Sequence, residues 1–295
     1  MNNDRNRRPP ASALKKKYGF KNAKSLGQNF LRDMSVIEAI IEGSEIGPED
    51  LVIEIGPGMG VLIAAAAENA EKVVAIEIDS RLIPLLRETL AGYFNITVIN
   101  ADIMKTDLEA VIREHRTAGG DGKVRILGNI PYYITTPILM KLLEDRVEAE
   151  TITLMMQKEV ADRIQAEPGS RTYGALSVAV GFYCEVERIA DVPKECFSPP
   201  PKVDSAVIRM DRRETPPAEV KSETVFFDVV KAGFGKRRKT LANALTGMRG
   251  LSKEEAGLML ERAGIEASRR AETLDIAEFA ALANAVADYL ELENS

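Results

Sequence analysis

The segment Gly56-Pro57-Gly58-Met59-Gly60 separates an apolar run from a helix-forming stretch. Glycines at such a junction let the backbone approach a ligand closely and present amides at a helix N-terminus. The G-x-G-x-G spacing and Pro57 depart from the dinucleotide pattern G-x-G-x-x-G. Glu77 ends the next apolar run, about 20 residues on, where doubly wound folds bind ribose hydroxyls. Its two acceptor oxygens match two adjacent hydroxyls. Asp102 ends a third run and can accept from an adenine amine. Gly56, Gly58, Glu77 and Asp102 therefore suit an adenosine-type ligand, and they leave NAD and S-adenosylmethionine both open.

A fourth apolar run ends in Asn129-Ile130-Pro131-Tyr132. This tetrapeptide resembles the N-x-P-Y motif of enzymes that methylate exocyclic amines of adenine, and it decides for S-adenosylmethionine. The chemistry accounts for the residue types. An adenine amine is a poor nucleophile because its lone pair is delocalised into the ring. The amide oxygen of Asn129 and the carbonyl of Ile130 can each accept one N–H, which aims the lone pair and stabilises the charge that grows on nitrogen. Pro131 fixes the turn and has no N–H of its own. Tyr132 offers a flat face for a base turned out of its stack. No neutral-pKa general base is required before attack, and the chain's single histidine, His115, is expected at an exposed helix end.

These residues need a scaffold that brings the ends of several strands together. Segments 51–56, 72–79, 96–102, 124–129 and 151–157 read as strands. Helices are expected at 60–69, 80–90 and 158–166, with a helical pattern also in 25–42. Alternating strands and helices predict an α/β fold, a mostly parallel Rossmann-like sheet with helices on both faces. Segments 175–192 and 202–210 read as long strands closing one edge. A polar, Pro-containing linker at 212–221 precedes helices at 226–234, 239–245, 253–263 and 276–290. The expected organisation is a basic arm at 1–24, a catalytic domain at 25–211 and a small helical domain at 212–295.

The net charge of −6 at first opposes a nucleic-acid partner, but the charges are unevenly placed. Residues 1–24 carry eight Lys/Arg against the single Asp4, and 231–240 carry five basic residues and no acid. Local patches of this kind bind phosphate whatever the global sign, because screening limits electrostatic reach to about 10 Å. Lys236, Arg237, Arg238 and Lys239 are the candidate RNA contacts. Cys184 and Cys196 sit in no metal-type spacing, so neither a metal site nor a disulfide framework is expected. No apolar stretch approaches the ~18 residues of a membrane span. The N-terminus lacks the apolar core of a secretory signal, so a cytoplasmic protein is expected.

The order of motifs then resembles the KsgA (RsmA) family of ribosomal RNA adenine dimethyltransferases. KSLGQNFL (24–31), EIGPGMG, AIEID, NADIM and GNIPYYITTP follow in the family's order. LMMQKEVADRI (154–164), SRTYGALSV (170–178), FSPPPKVDSAVIRM (197–210) and FGKRRKTLANAL (234–245) extend the match. The resemblance implies a class I methyltransferase fold and transfer of methyl groups from S-adenosylmethionine to two adjacent adenines in the 3′-terminal hairpin of 16S rRNA. The small ribosomal subunit or its precursor would be the partner, rather than DNA or a membrane, and the protein would be a monomer. It further implies that Asn29 and Leu31 cover the cofactor, Gly56 contacts its amino-acid part, Glu77 its ribose and Asp102 its adenine. Asn129 would touch both cofactor and target amine, and Phe197 would stack on the base opposite Tyr132. Ile63 and Tyr133 depart from the family's usual Thr and Asn. The runner-up is the related Erm type acting on large-subunit RNA. A DNA adenine methyltransferase and a non-catalytic assembly factor on the same fold are further competing readings.

Overall fold

The computed structural model describes residues 17–20, 27–236 and 238–293. Two compact units emerge, residues 1–161 with 187–212 and residues 162–186 with 213–295. The first is built on a seven-stranded sheet. Its strands are β2 (Leu51–Ile55), β3 (Lys72–Glu77), β4 (Ile96–Asn100), β5 (Val124–Asn129), β6 (Thr151–Gln157), β7 (Cys184–Val192) and β9 (Ser205–Arg212). They lie in the order β4-β3-β2-β5-β6-β9-β7. The five strands from β4 to β6 run parallel, and β9 joins β6 antiparallel. The sheet is thus the expected Rossmann-like one, with the order turning back beside β2. Ligands of open α/β sheets bind outside the carboxyl ends of the strands at such a point.

Burial explains which strands were readable. All five residues of β2 are buried, as are five of the six in β3 and in β5, so these strands appear in the sequence as unbroken apolar runs. Helices α1 (Met34–Gly43) and α2 (Val61–Ala67) supply Ile37, Ile40, Leu62 and Ile63 to the same core as Val52, Ala75 and Leu127. Asp33 caps α1, its carboxylate accepting from the Ser35 amide at 3.0 Å, so the helix begins at Met34 and the preceding residues are extended. That extended stretch contains β1 (Phe30–Leu31), which pairs antiparallel with β8 (Phe197–Ser198) in a separate two-stranded ribbon. Helices α3 (Ile83–Thr89), α4 (Leu108–His115) and α5 (Thr135–Glu144) complete the crossovers. Of these, α4 supplies the helix end expected at His115, whereas α5 was not expected from the sequence.

The second unit corrects one expectation. Residues 175–192 do not form one long strand: α7 (Ala175–Tyr183) gives way to β7 only at Cys184, after α6 (Lys158–Ile164). ALSVAVGFY is apolar on nearly every side, with Val178, Ala179, Val180 and Phe182 buried, and periodicity cannot separate a fully buried helix from a strand. The Phe182 ring stacks on Phe226 of α8 (Glu223–Gly235) at 4.6 Å between centroids. Helices α9 (Leu241–Leu245), α10 (Lys253–Arg262) and α11 (Ile276–Glu293) share this second core. Ser252 and Glu255 form a reciprocal capping box that starts α10.

His115 is likewise not on the surface. It is buried, with Nδ1 3.0 Å from the carbonyl of Val111 one turn back in its own helix. Both cysteines are free, Cys184 buried and Cys196 half-buried. Among the described residues no helix is long and apolar enough to cross a membrane.

Candidate active site

Sheet register brings the chemistry together before any loop is considered. Ile55 pairs with Ile76 on one side and with Gly128 on the other. The next residues, Gly56, Glu77 and Asn129, therefore end three adjacent strands side by side. Two residues back along each strand stand Glu54, Ala75 and Leu127, in register with one another and on the same sheet face. A cavity of ≈ 1190 Å³, counted out to its open mouth, lies over these strand ends. Its wall includes every residue assigned to cofactor and base from the sequence: Asn29, Leu31, Gly56, Gly58, Glu77, Asp102, Asn129 to Tyr132, and Phe197.

Gly56 and Gly58 both have left-handed backbones, φ +70° and +55°. A Cβ at Gly56 would meet nothing within 4 Å, whereas one at Gly58 would fall 2.9 Å from the Phe30 ring. The first glycine thus leaves open space at the cavity, and the second lets the ribbon segment lie on the loop. Glu77 is held from both sides: Oε1 accepts from the Asp79 amide at 2.8 Å and Oε2 from the Gly58 amide at 3.4 Å. Burial pushes its carboxyl up from the ordinary range, against the pull of those two amides. Its remaining lone pairs are those available to a pair of ribose hydroxyls.

Asp102 stands just beyond β4 and caps a short turn, with Oδ1 accepting from the Met104 amide at 3.0 Å. It therefore has a local structural role whether or not it meets an adenine. The Asn129 amide nitrogen donates to the Asn29 carbonyl at 3.4 Å. That bond leaves Oδ1 as the acceptor directed elsewhere, the orientation an incoming amine needs. Tyr132 is fixed by a 2.7 Å hydrogen bond between its hydroxyl and Ser205 Oγ, and burial raises its pKa. Gly27 lies against the same turn, where a Cβ would approach that of Pro131 to 3.4 Å.

Phe197 lines the cavity but is 1% exposed, a member of the sheet core paired through its backbone with Leu31. Ile63 is fully buried, and Tyr133 is 61% exposed on the cavity wall.

Three residues at the site escaped the sequence reading. Asp79, buried, accepts from Gln28 Nε2 at 2.8 Å and from Arg81 at 2.8 and 2.6 Å, and the Arg81 guanidinium holds its carboxyl below the usual range. Gln28 and Asp79 thereby tie the ribbon segment to the end of β3. The signal was present in two motifs, QNF and EID, but their contact spans 51 positions. The third is Glu54, 1% exposed and in the cavity wall. Burial first, and then the neighbouring Glu77, push its carboxyl up to about 8.

This last shift carries a stability consequence. In the unfolded chain the group ionises in the ordinary carboxylate range, whereas in the fold it stays protonated to about 8. Its folded pKa is raised, so the fold loses stability as pH climbs from the ordinary range to about 8, at about 1.4 kcal/mol per pH unit. Glu54→Gln is therefore expected to raise the melting temperature of the ligand-free protein at pH 7 to 8. The gain should shrink to nothing near pH 4. Melting curves across that range check this, and a pH-independent difference would contradict it.

A family model described as ribosomal RNA adenine dimethylase matches residues 19–288. The chain belongs to this family. Curated relatives named ribosomal RNA small subunit methyltransferase A, from Bacillus mycoides and Bacillus anthracis, are each 51% identical over 273 residues, covering 92% of this chain and 93% of theirs. A dimethyladenosine transferase from Plasmodium falciparum superposes with a TM-score of 0.72 at 27% identity, over 90% of this chain and 98% of that one. The 23S rRNA methyltransferase ErmE follows at 0.65 and 30% identity, over 88% and 100%. The nearer sequence likeness is thus to small-subunit enzymes.

The basic cluster lies in the helical unit. Lys236 Nζ donates to the carbonyls of Asn243 and Thr246 at 3.2 and 3.3 Å and closes the end of α9. Arg238 and Lys239 are exposed, and Arg237 lies outside the described residues. Lys17 of the basic arm pairs with Glu88 at 2.7 Å, and the arm residues 1–16 and 21–24 lie outside the described residues.

Proposed function

We propose that this protein transfers methyl groups from S-adenosylmethionine to the N6 amines of two adjacent adenines in the 3′-terminal hairpin of small-subunit rRNA, and takes part in subunit assembly in the cytoplasm as a monomer. The observation that carries the reading is the juxtaposition of Gly56, Glu77 and Asn129 on neighbouring strand ends beneath one cavity.

The residues fit the cofactor chemically. The space at Gly56 admits a ligand backbone, the fixed Glu77 carboxylate presents acceptors to a ribose, and Asn29 and Leu31 cover the cavity from the ribbon segment. When bound, S-adenosylmethionine supplies a methyl group on a positively charged sulfur. The chain's own contribution is to orient the amine. Asn129 Oδ1 and the Ile130 carbonyl accept its two N–H groups, which concentrates the nitrogen lone pair on the side away from them. Both acceptors are neutral and prearranged, so they stabilise positive charge on nitrogen as the N–C bond forms without deprotonating it first. The surplus proton leaves the nitrogen for solvent afterwards. Tyr132, anchored through Ser205, and Phe197 are assigned to the faces of the base. In the second round the amine has one N–H left, so one of the two acceptors has no partner. The pocket must then accommodate one methyl.

Phosphate contacts supply the affinity for a folded ribosomal particle, and Arg237, Arg238 and Lys239 are the residues assigned to them. Replacing these three by alanine should weaken subunit binding and reduce its salt slope by about 0.7–0.9 for each phosphate left without its cation. Cofactor affinity should hold, because the described residues that line the cavity all belong to the sheet unit. An unchanged slope would return these residues to the role of a solvated face. Methyl incorporation into purified small subunits, large subunits and duplex DNA tests the whole reading. Label confined to small subunits is expected, whereas label in large subunits or in DNA would favour an Erm-type or a DNA-methylating enzyme.

A further inference from the structure

Glu54 is the only charged residue in β2, a strand whose five residues are all buried. Its Oε2 has no hydrogen-bond partner among the described residues. A buried polar atom without a partner is expensive, and a buried charge more so. The groups that face Glu54 do not relieve it. From β3 comes Glu77, also an acid, and its effect is repulsive. From β5, Arg125 shares the sheet face but lies level with Val52, farther from the cavity, and is committed to Asp50 at 3.0 Å. The helices α1 and α2 contribute Ile37 and Leu62 to the cavity wall, the ribbon segment the neutral Gln28 and Asn29, and the far rim Asp102. Among the described residues of the cavity wall there is no cation to meet Glu54, yet the residue borders the space where the cofactor belongs.

We propose that Glu54 is a cofactor-binding residue, protonated in the free protein and ionised against the cationic methionyl part of S-adenosylmethionine, so that cofactor binding releases a proton. The inference rests on the cofactor assignment made above. The balance is simple: the carboxylic acid loses its proton to buffer, and the resulting carboxylate pairs with a positive group of the ligand. Burial first, and the neighbouring Glu77 after it, hold the acid neutral at pH 7, with its pKa at about 8. A positive charge brought into the same buried space reverses that preference, because opposite charges a few ångströms apart attract strongly where water is excluded. The partner is the ligand's ammonium, its sulfonium, or both. If it is the sulfonium, loss of the methyl group leaves the carboxylate unpaired, and Glu54 then takes a proton back and ceases to hold the product.

Calorimetric titration of the full chain with S-adenosylmethionine at pH 7, in phosphate and in Tris, tests this. These buffers differ widely in ionisation enthalpy, so a released proton appears as a buffer-dependent heat. The wild-type protein should release close to one proton per cofactor bound. Its Kd should fall up to about tenfold per pH unit between pH 6 and 8. Glu54→Gln should lose that release and flatten the pH dependence, and titration of the ligand's own amine cancels in the comparison. S-adenosylhomocysteine, which keeps the ammonium and lacks the sulfonium, separates the two partners: release with both ligands assigns the ammonium, and release with S-adenosylmethionine alone assigns the sulfonium. Wild-type binding with no proton release, a result that needs no variant, would overturn the proposal. So would release that persists in Glu54→Gln. Failure of the wild-type protein to bind S-adenosylmethionine at all would instead remove the cofactor assignment and this inference with it.

Discussion

Replacing Asn129 by alanine is expected to lower kcat by ~10²-fold or more, the usual cost of removing one prearranged acceptor or donor from a transition state. The side chain is suited to that role because its nitrogen is already committed to the Asn29 carbonyl. The oxygen is then available without reorganisation when a base arrives. Alanine keeps the Ile130 carbonyl, so one of the two acceptors survives and the loss should be large but incomplete. Asn129→Asp makes a sharper comparison. It retains an acceptor but substitutes a negative charge and breaks the donation to Asn29, which would loosen the ribbon segment over the cavity. Both variants should leave the fold intact, since Asn129 ends β5 rather than filling the core. Single-turnover rates with circular dichroism controls check this. Near-normal turnover in a folded Asn129→Ala protein would remove Asn129 from the chemistry.

Glu77→Ala is expected to weaken S-adenosylmethionine by about 1.5–3 kcal/mol, the range for hydrogen bonds to a charged group and roughly 10- to 150-fold in Kd. The carboxylate is prearranged by the amides of Asp79 and Gly58, so no ordering cost is charged to binding. Its removal also takes away the acid whose charge raises Glu54, so that carboxyl should then titrate lower than in the parent. The two effects separate by pH: the loss of affinity should persist from pH 6 to 9, while the shift at Glu54 changes only the slope. Glu77→Gln keeps one acceptor and should fall between parent and alanine. Calorimetry that finds Glu77→Ala binding as tightly as the parent would refute the ribose assignment.

The parallel strands and their terminal residues were legible because parallel sheets bury both faces. Segments 124–129 and 151–157 appear in the structure with the bounds read from the sequence, and Glu77 and Asn129 stand at the carboxyl ends of their strands. The helix at 175–183 was not legible, because a helix buried on all sides shows no periodic stripe. Nor was the ribbon of Phe30–Leu31 with Phe197–Ser198. Two-residue strands carry no pattern, and what fixes them is a contact between distant segments. Asp79 and Gln28 were missed for the same reason, as were the carbonyls of Asn243 and Thr246 that Lys236 meets. Glu54 is different. A single acid inside LVIEI was visible, and its burial in an otherwise apolar strand is the kind of local inconsistency that marks function.

A single pocket is assigned both methylations of adenine in small-subunit RNA. Nucleoside mass spectrometry of 16S rRNA, after incubation of unmodified small subunits with the protein and isotopically labelled S-adenosylmethionine, addresses it directly. Labelled N6,N6-dimethyladenosine is expected, confined to the 3′-terminal fragment, with the monomethyl form present only transiently. Accumulation of N6-methyladenosine alone under excess enzyme and cofactor, or the absence of labelled adenosine from 16S rRNA, would contradict it.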